Sequence, residues 1–208
     1  MTARMNVTDA LTALYEARDE RDVIITTMGA AREWMALQAA RGANPRDLVF
    51  VPSSMGQATS FALGIALAQP NRRVIVCNGD GSMLMNLGSL VSIAAAAPRN
   101  LGVLLLDNGV YEVTGAQPTP AAMIERAGGR VDYEAMARAS GFTRVFRFRE
   151  IENWRAKMHD VLCADGLTFA LLDVEPVHGR PGPKSPGPAA ERARQFIAAL
   201  GATSQLAD

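Results

Sequence analysis

The sequence predicts a single α/β domain of three layers, in which a mostly parallel six-stranded sheet lies between two layers of helices. Two observations support this fold class. Short runs rich in Val, Ile and Leu alternate with longer segments of helical periodicity, as in a parallel sheet covered by helices. The chain has 208 residues, of which 49% are hydrophobic and 20% charged, which suits one well-filled domain rather than two complete ones.

The predicted elements follow one another along most of the chain. Helices are expected where apolar residues recur at helical spacing, at 7–18, 30–41, 57–68, 86–97, 133–140, 150–163 and 189–200. Strands are expected at the short apolar runs 22–27, 48–52, 73–78, 101–107, 143–148 and 168–175. The run 101–107 has no polar residue before its last position, which indicates a central strand covered on both faces.

The last part of the chain, residues 178–208, is predicted to be an arm and a final helix that pack on the main domain of residues 1–177. Residues 179–188 are so rich in Pro and Gly that neither a regular helix nor a central strand is expected there. Two interpretations of this arm stay open. With His178, Arg180 and Lys184 it would close over an anionic substrate, or it would be a solvated tether.

Charge and cysteine content exclude several functional classes. Lys+Arg and Asp+Glu each number 21, so no net charge draws the chain to nucleic acid or to an anionic membrane. Cys77 and Cys163 lack metal-ligand spacing and are expected to be core residues. The N-terminal residues lack the apolar segment of a signal peptide, and no apolar run reaches about 18 residues. A cytoplasmic protein is therefore expected.

Two glycine-containing turns follow predicted strands and carry the polar chemistry. Gly79-Asp80-Gly81-Ser82 follows the run 73–78, and Asp107-Asn108-Gly109-Val110-Tyr111 completes the run 101–107. In open α/β sheets ligands bind beyond the carboxyl ends of the strands, so both turns should meet at one crevice. A carboxylate, an amide oxygen and a main-chain carbonyl are ligands suited to Mg²⁺. A Gly-Asp-Gly alone is more often a plain turn.

The pair of turns, with Asp80 and Asn108 lying 28 positions apart, resembles the signature of thiamine-diphosphate-dependent enzymes. The resemblance implies the thiamine-diphosphate-binding fold, with thiamine diphosphate and Mg²⁺ as cofactors. It also implies that the Asp80 and Asn108 side chains and the Val110 carbonyl bind the metal. The cofactor-binding residues that it implies are Ser53, Ser54, Met55, Gly79, Asp80, Gly81, Ser82, Asn108, Val110 and Tyr111.

The segment Ser53-Ser54-Met55-Gly56 is similar to the Gly-Ser-Met-Gly segment against which this family folds its cofactor. The resemblance implies that the adaptable apolar side chain of Met55 wedges between the two cofactor rings. The alternative is that Met55 is an ordinary core residue at a helix start. Ser53 stands where the family usually has glycine.

Further segments resemble the sulfopyruvate and phosphonopyruvate decarboxylases within this family. They are Thr26-Thr27-Met28-Gly29, Thr114-Gly115-Ala116-Gln117 and Gly179-Arg180-Pro181. The resemblance implies a 2-oxoacid decarboxylase subunit and favours Thr114 and Gln117 as substrate contacts, the alternative being that they cap their own loop. The cationic arm adds Arg180 as a candidate substrate contact. Two departures from the family pattern, Ala116 in place of glycine and Gln57 in place of histidine, concern the substrate more than the cofactor.

The family's activating glutamate lies on a pyrimidine-binding domain for which this chain has no room. The resemblance therefore implies a partner chain, a hetero-oligomer of α2β2 type or larger, and no turnover by this chain alone. Glu112 is a candidate for that glutamate, but a solvated or interface carboxylate is the favoured interpretation. His159 is expected to be a satisfied surface or partly buried residue.

Three alternative functions follow from the same residues. An acetolactate-synthase-like carboligase would use the same cofactor motifs. A noncatalytic cofactor-binding partner would have little use for the Asp80 and Asn108 pair. A nucleotide-binding module is disfavoured because no Gly-x-Gly-x-x-Gly opens a helix and no Walker lysine is present.

Overall fold

The structure, a computed structural model, describes residues 4–50, 55–163, 165–180, 182 and 184–201. Six parallel strands form one sheet in the order β2-β1-β3-β4-β8-β7, and β5 and β6 form a separate antiparallel ribbon. The strands are β1 Val23–Thr27, β2 Asp47–Phe50, β3 Val74–Gly79, β4 Leu101–Asp107, β5 Val110–Tyr111, β6 Gln117–Pro118, β7 Arg144–Phe148 and β8 Thr168–Asp173. The predicted six-stranded α/β fold is confirmed.

Nine α-helices and one 3-10 helix are present in the described part of the chain. They are α1 Val7–Ala17, α2 Met28–Arg41, α3 Ala58–Ala68, α4 Asp80–Leu84, α5 Gly88–Ala96, α6 Pro120–Arg126, α7 Tyr133–Ser140, α8 Ile151–Leu162 and α9 Ala189–Ala199, with the 3-10 helix at Glu112–Thr114. None of these helices is long and apolar enough to cross a membrane.

The two helical layers bury opposite faces of the sheet. Alternate side chains of each strand point to opposite faces, so Ile75 packs with α1, α2 and α8, whereas Val74 and Val76 pack with α3, α5, α7 and α9. Trp34 of α2 and Trp154 of α8 are fully buried on the first face. The Trp154 indole N–H donates to the Ala10 carbonyl at 3.0 Å, which satisfies its one polar group.

The register of the central strands places the two glycine-containing turns side by side. Gly79, the last residue of β3, pairs with Leu106 of β4, and Asp107 pairs with Asp173 of β8. Asp80 and Asn108 therefore both follow this edge of the sheet. Since β1 lies beside β3, the β1–α2 junction reaches the same edge.

Three features of the structure differ from the sequence-based expectations. The segment between Asn108 and Tyr133 forms the β5–β6 ribbon and α6, where no element was expected. The short helix α4 begins at Asp80 directly after β3. Cys163 was expected in the core but is exposed, because α8 ends at Leu162 and the thiol lies beyond its last buried turn.

The final helix α9 packs on the second face of the sheet through Phe196 and Leu200, which closes its layer. Arg192 on α9 donates a hydrogen bond to the Val49 carbonyl at the end of β2. Beyond β8, Gly182 lies against Val113 at the carboxyl edge of the sheet.

Candidate active site

A cleft opens at the carboxyl edge of the sheet, over the ends of β1, β3 and β4. Its cavity volume is about 60 Å³. The lining residues are Val7, Thr27, Met28, Gly29, Ala30, Arg32, Met55, Gly79, Asp80, Gly81, Ser82, Leu106, Asn108, Val110, Tyr111, Glu112, Val113, Thr114 and Val174.

Eight of the ten cofactor residues expected from the sequence line this cleft. They are Met55, Gly79, Asp80, Gly81, Ser82, Asn108, Val110 and Tyr111. Ser53 and Ser54 lie outside the described residues. The structure thus gathers onto one surface residues that are more than 50 positions apart in the chain.

Asp80 is the first residue of α4 and is 1% exposed. Its Oδ2 accepts a hydrogen bond of 3.1 Å from the Thr119 hydroxyl, and the main-chain amides of Gly81 and Asn108 also face the carboxylate. Burial, followed by the nearby charge of Asp107, raises the pKa of Asp80 to about 7 despite these donors. The surroundings therefore stabilise the charged carboxylate only in part, and a bound cation would stabilise it further.

The pKa of Asp80 predicts a specific pH dependence. A folded-state pKa of about 7, against the ordinary 3.8, means that the folded chain holds this proton more tightly than the unfolded chain. The stabilisation is complete below pH 3.8 and is lost as the pH rises through about 7. In urea unfolding without metal, the wild type should lose stability relative to Asp80→Asn between pH 5 and pH 8, by at most about 1.4 kcal/mol per pH unit. Equal losses of unfolding free energy in the wild type and in Asp80→Asn would contradict the raised pKa of Asp80.

Asn108 is held in one orientation by hydrogen bonds at both ends of its amide. Its Nδ2 donates to Glu112 Oε1 at 2.8 Å, and its Oδ1 accepts from the Val110 amide at 3.0 Å. Because Nδ2 donates to the Glu112 carboxylate, Oδ1 is the atom of this side chain that is available to bind a cation. The second lone pair of that oxygen remains for coordination.

Gly81 is required by the close approach of Tyr111. A Cβ at position 81 would lie 2.5 Å from Tyr111 Cε1, whereas a Cβ at position 79 would meet nothing within 4 Å. We expect Gly81→Ala to lower the free energy of unfolding by about 1–3 kcal/mol, the usual cost of overpacking. Gly79→Ala is the matched control and should change it by less than about 0.5 kcal/mol.

A double-mutant cycle identifies the cause of the Gly81 effect. Adding Tyr111→Ala removes the ring that the new methyl group would strike, so Gly81→Ala should cost much less in that background. Urea unfolding of the four proteins gives the coupling energy. An equal cost of Gly81→Ala in both backgrounds would show that the ring contact is not responsible.

The turn before α3 is held against α4 by two hydrogen bonds. Ser82 Oγ accepts from the Gly56 amide at 2.9 Å, and Asn86 Nδ2 donates to the Gly56 carbonyl at 2.8 Å. Gly56 has a φ of +82°, which glycine adopts without strain. This arrangement presents the neighbouring Met55 to the cleft.

The three substrate residues expected from the sequence are not gathered together. Thr114 lines the cleft, but Gln117 does not: its side chain bonds the Thr114 carbonyl and hydroxyl, each at 2.9 Å. Gln117 therefore caps its own loop. Arg180 lies outside the cleft lining, with Nη1 3.5 Å from Glu33 Oε1, and its side chain is 61% exposed.

Ala116, in the same loop, has a φ of +59° and donates its amide to the Tyr111 carbonyl. Non-glycine residues pay about 1–2 kcal/mol for this left-handed conformation, while glycine costs about 0.4–1 kcal/mol in unfolded-chain entropy. We expect Ala116→Gly to raise the free energy of unfolding by about 0.5–1 kcal/mol. Ala127→Gly, at a φ of −84°, is the control and should lower it. A loss of stability in Ala116→Gly would contradict this view of the loop.

The favoured interpretation of Glu112 was a solvated or interface carboxylate, and the structure contradicts the solvated one. Its side chain is 7% exposed and joins three parts of the fold. Oε1 accepts from Asn108 Nδ2 and from the Val177 amide, both at 2.8 Å, and Oε2 accepts from Arg32 Nη2 at 3.1 Å. Glu112 is not solvated because the turn after β4 carries it inward, beneath the chain that follows β8.

The β1–α2 junction contributes cleft residues that received no site role from the sequence. The Thr27 hydroxyl and the Arg32 Nη1 are buried and have no hydrogen-bond partner among the described residues. Met28 has a φ of +54°, a strained conformation of the kind that clusters at ligand sites. The position of Thr27 at the end of a strand beside β3 was the signal that could have identified this segment.

The residues of the cleft fit Mg²⁺ and a diphosphate. Asp80 and Asn108 present oxygen atoms, which are the ligands that Mg²⁺ prefers. A cation would stabilise the buried Asp80 carboxylate, and the Thr27 hydroxyl, which has no partner among the described residues, can donate to a phosphate oxygen. Gly79 leaves open space where a side chain would otherwise stand.

The chain is similar in sequence to proteins of known family. The family model described as "Thiamine pyrophosphate enzyme, C-terminal TPP binding domain" matches residues 27–174. The sulfopyruvate decarboxylase subunit beta of Methanothermobacter thermautotrophicus is 39% identical over 177 residues, covering 85% of this chain and 84% of that protein. The phosphonopyruvate decarboxylase of Streptomyces viridochromogenes is 36% identical over 188 residues, 88% of this chain but 44% of that protein.

Solved structures share the fold at lower identity. Benzoylformate decarboxylase from Polynucleobacter necessarius superposes with a TM-score of 0.68 at 15% identity, covering 84% of this chain and 34% of that one. The 2-oxoglutarate:ferredoxin oxidoreductase from Magnetococcus marinus gives a TM-score of 0.62 at 19% identity, covering 84% of this chain and 62% of that one.

Proposed function

Because the chain belongs to the thiamine pyrophosphate enzyme family, of which it contains the C-terminal TPP-binding domain, we propose that it is the diphosphate- and Mg²⁺-binding subunit of a 2-oxoacid decarboxylase. The observation that carries the proposal is the buried Asp80 carboxylate beside Asn108, at the ends of neighbouring strands on one cleft. The similarity to a sulfopyruvate decarboxylase subunit beta over most of both chains supports the subunit assignment.

In this proposal the chain's residues hold and orient the cofactor. Asp80 Oδ, Asn108 Oδ1 and the Val110 carbonyl bind Mg²⁺, and Glu112 keeps the Asn108 amide in the required orientation. The bound cofactor supplies the electron sink that 2-oxoacid decarboxylation requires. Ser82, Thr27 and the amides of the Gly79–Asp80–Gly81 turn hold the diphosphate.

Met55 would set the conformation of the cofactor. Its side chain faces the cleft from a turn that two hydrogen bonds fix to α4. A flexible thioether side chain there packs against apolar rings without a unique shape of its own. Tyr111, packed on Gly81, would close the opposite side.

We propose that a pyrimidine-binding partner chain completes the site in a hetero-oligomer, α2β2 or larger. The cavity volume of the cleft, about 60 Å³, is far below the roughly 300 Å³ of a typical ligand pocket. Helices α3 and α5 contain no charged residue and are mostly apolar, yet Leu67, Met85 and Val91 are exposed on or beside them. Helices with so few polar residues are normally buried, which favours a partner chain that covers α3 and α5.

The substrate class proposed is a sulfopyruvate-like or phosphonopyruvate-like 2-oxoacid, on the strength of the two similar decarboxylases. Arg32 lines the cleft and has one buried guanidinium nitrogen without a partner among the described residues. Thr114 lines the same surface. Both would face the anionic end of such a substrate.

The test is co-purification of the tagged full-length chain with its native partner, followed by assays with sulfopyruvate, phosphonopyruvate and pyruvate. We expect a pyrimidine-binding chain in the complex and CO₂ release that depends on thiamine diphosphate and Mg²⁺. Turnover by the chain alone would refute the subunit proposal. Acetolactate formation from pyruvate as the main reaction would instead favour the carboligase.

A further inference from the structure

A second cavity lies at the carboxyl edge of the sheet next to the cofactor cleft: Asp107 and Gly109 line the cavity, whereas Asn108 and Val110 of the same turn line the cleft. Its volume is about 250 Å³, and none of its lining residues also lines the cleft. It is bounded by the turn after β4, by α6 and the start of α7, and by the residues that follow β7. The proposed function leaves this cavity without a role.

The topology of the sheet creates this cavity. The chain leaving β4 crosses to α6 and α7 on one face of the sheet, whereas the chain leaving β7 continues into α8 on the opposite face. Where the connections of nearby parallel strands depart to opposite faces, a crevice opens outside the strand ends, and ligands bind in such crevices.

The cavity lining is rich in guanidinium groups. Arg4, Arg130, Arg147 and Arg149 line it, against the carboxylates of Asp107 and Glu125. Guanidinium groups outnumber carboxylates by four to two among the lining residues, but Asp132, Glu134 and Asp173, which do not line the cavity, pair with three of these arginines. Arginine side chains present planar arrays of donors that match phosphate, sulfonate and carboxylate oxygens.

Two of these arginines are held by a buried carboxylate, Arg4 lies near the Asp107 carboxylate, and Arg130 has only a surface partner. Arg147 Nη2 and Arg149 Nε lie 2.9 and 3.0 Å from Asp173 Oδ2, which fixes them at the cavity wall. Arg130 is 61% exposed and pairs at 3.2 Å with Asp132, whose carboxylate is itself in solvent contact. Surface pairs of this kind are weak, so an oxyanion can recruit the Arg130 head group.

Tyr133 gives the independent indication of a ligand. It is 3% exposed, lines the cavity, and its hydroxyl has no hydrogen-bond partner among the described residues. Burial, together with the charges of Asp80 and Asp107, raises the pKa of this phenol, so the hydroxyl remains a donor. A buried donor left unpaired costs about 1–3 kcal/mol, which an acceptor in the cavity would recover.

We propose that this cavity is a second anion site, which binds a small tetrahedral oxyanion through the Tyr133 hydroxyl and the guanidinium groups of Arg4 and Arg130. The shared chemistry is a phosphate or sulfonate group. The site is distinct from the one that holds the cofactor diphosphate, and it does not depend on the decarboxylase assignment.

The experiment is calorimetric titration of the full-length chain with inorganic phosphate, and separately with methanesulfonate, at constant ionic strength in chloride. The variants are Tyr133→Phe and Arg130→Gln. Arg138→Gln is the matched control, because Arg138 also pairs with Glu134 on α7 but does not line the cavity. Ser82→Ala reports on anions that bind in the cofactor cleft instead.

We expect saturable binding that Tyr133→Phe weakens by about tenfold or more and Arg130→Gln by at least about fivefold, as for hydrogen bonds to a charged group. Arg138→Gln and Ser82→Ala should leave it unchanged. The ratio of phosphate to methanesulfonate affinity tells which oxyanion the site prefers. Tyr133→Phe keeps the packed ring and loses only an unpaired hydroxyl, so it should fold with wild-type stability.

Two outcomes overturn the proposal. One is binding that survives Tyr133→Phe and disappears in Ser82→Ala, which would place the anion in the cofactor cleft. The other is the absence of saturable binding at concentrations up to about 10 mM, which would mean that the cavity holds only water.

Discussion

Asp80→Asn is expected to reduce the affinity for thiamine diphosphate with Mg²⁺ by at least about a hundredfold. The asparagine amide is nearly the same size as the carboxylate but carries no charge, and loss of even an outer-sphere partner of a metal ligand costs about 10–100-fold. The measurement is calorimetric titration of the variant and the wild type with cofactor and metal. Asp160→Asn, an exposed residue of α8, is the control and should bind as the wild type does.

The same substitution should make the metal-free protein more stable. At pH 8 the wild type keeps a negative charge at a position that is 1% exposed and is repelled by Asp107. Removing it should raise the free energy of unfolding by about 1–3 kcal/mol. Opposite effects on binding and on stability distinguish a functional carboxylate from a structural one. A variant that binds the cofactor normally would contradict the metal assignment.

Glu112→Ala is expected to lower the free energy of unfolding by about 3–5 kcal/mol. The glutamate is the acceptor for Asn108, Val177 and Arg32, and its loss leaves the mostly buried Arg32 charge without this partner. Urea unfolding measures the effect. Glu152→Ala, at an exposed position of α8, is the control and should cost less than about 0.5 kcal/mol.

Glu112→Gln separates the structural role of this residue from its effect on the metal turn. The amide can still accept from Asn108 or Val177 but no longer neutralises Arg32, so a smaller loss of stability is expected. Because the Asn108 amide is then less firmly held, cofactor affinity should fall by about tenfold. A loss of less than about 1 kcal/mol in Glu112→Ala would show that the buried network does not stabilise the fold as described.

Much of the fold could be predicted because its strands can be recognised in the sequence as short apolar runs. Aliphatic runs such as Leu101–Asp107 are buried on both faces, so their composition reflects the environment directly. Errors at the ends were small and have local causes. The last strand was expected to reach residue 175, but beyond Asp173 only Val174 forms an isolated bridge, with Met5.

The elements that were missed are those whose existence depends on tertiary contacts. The two-residue strands β5 and β6 have no apolar run to indicate them, and α6 is only seven residues long. The contacts of Glu112 could not be predicted for the same reason. Its partners Arg32 and Val177 lie 80 and 65 positions away in the sequence.

The candidate site was predictable as far as its residues stand at strand ends. Asp80 and Asn108 follow adjacent strands, and parallel pairing brings them together. Thr27 and Arg32 follow a third strand of the same edge, but no distinctive spacing marks them. For Gln117 the expectation rested on resemblance, and its side chain bonds Thr114 within the same loop. For Arg180 it rested on the cationic arm, and this residue lies near the distant Glu33 instead.

The most direct test of the proposed metal site is the anomalous scattering of Mn²⁺ substituted for Mg²⁺ in crystals of the native complex with thiamine diphosphate. We expect one peak about 2.2 Å from Asp80 Oδ and Asn108 Oδ1, near the Val110 carbonyl. A peak bound by other residues, with Asp80 and Asn108 out of contact with the metal, would contradict the account.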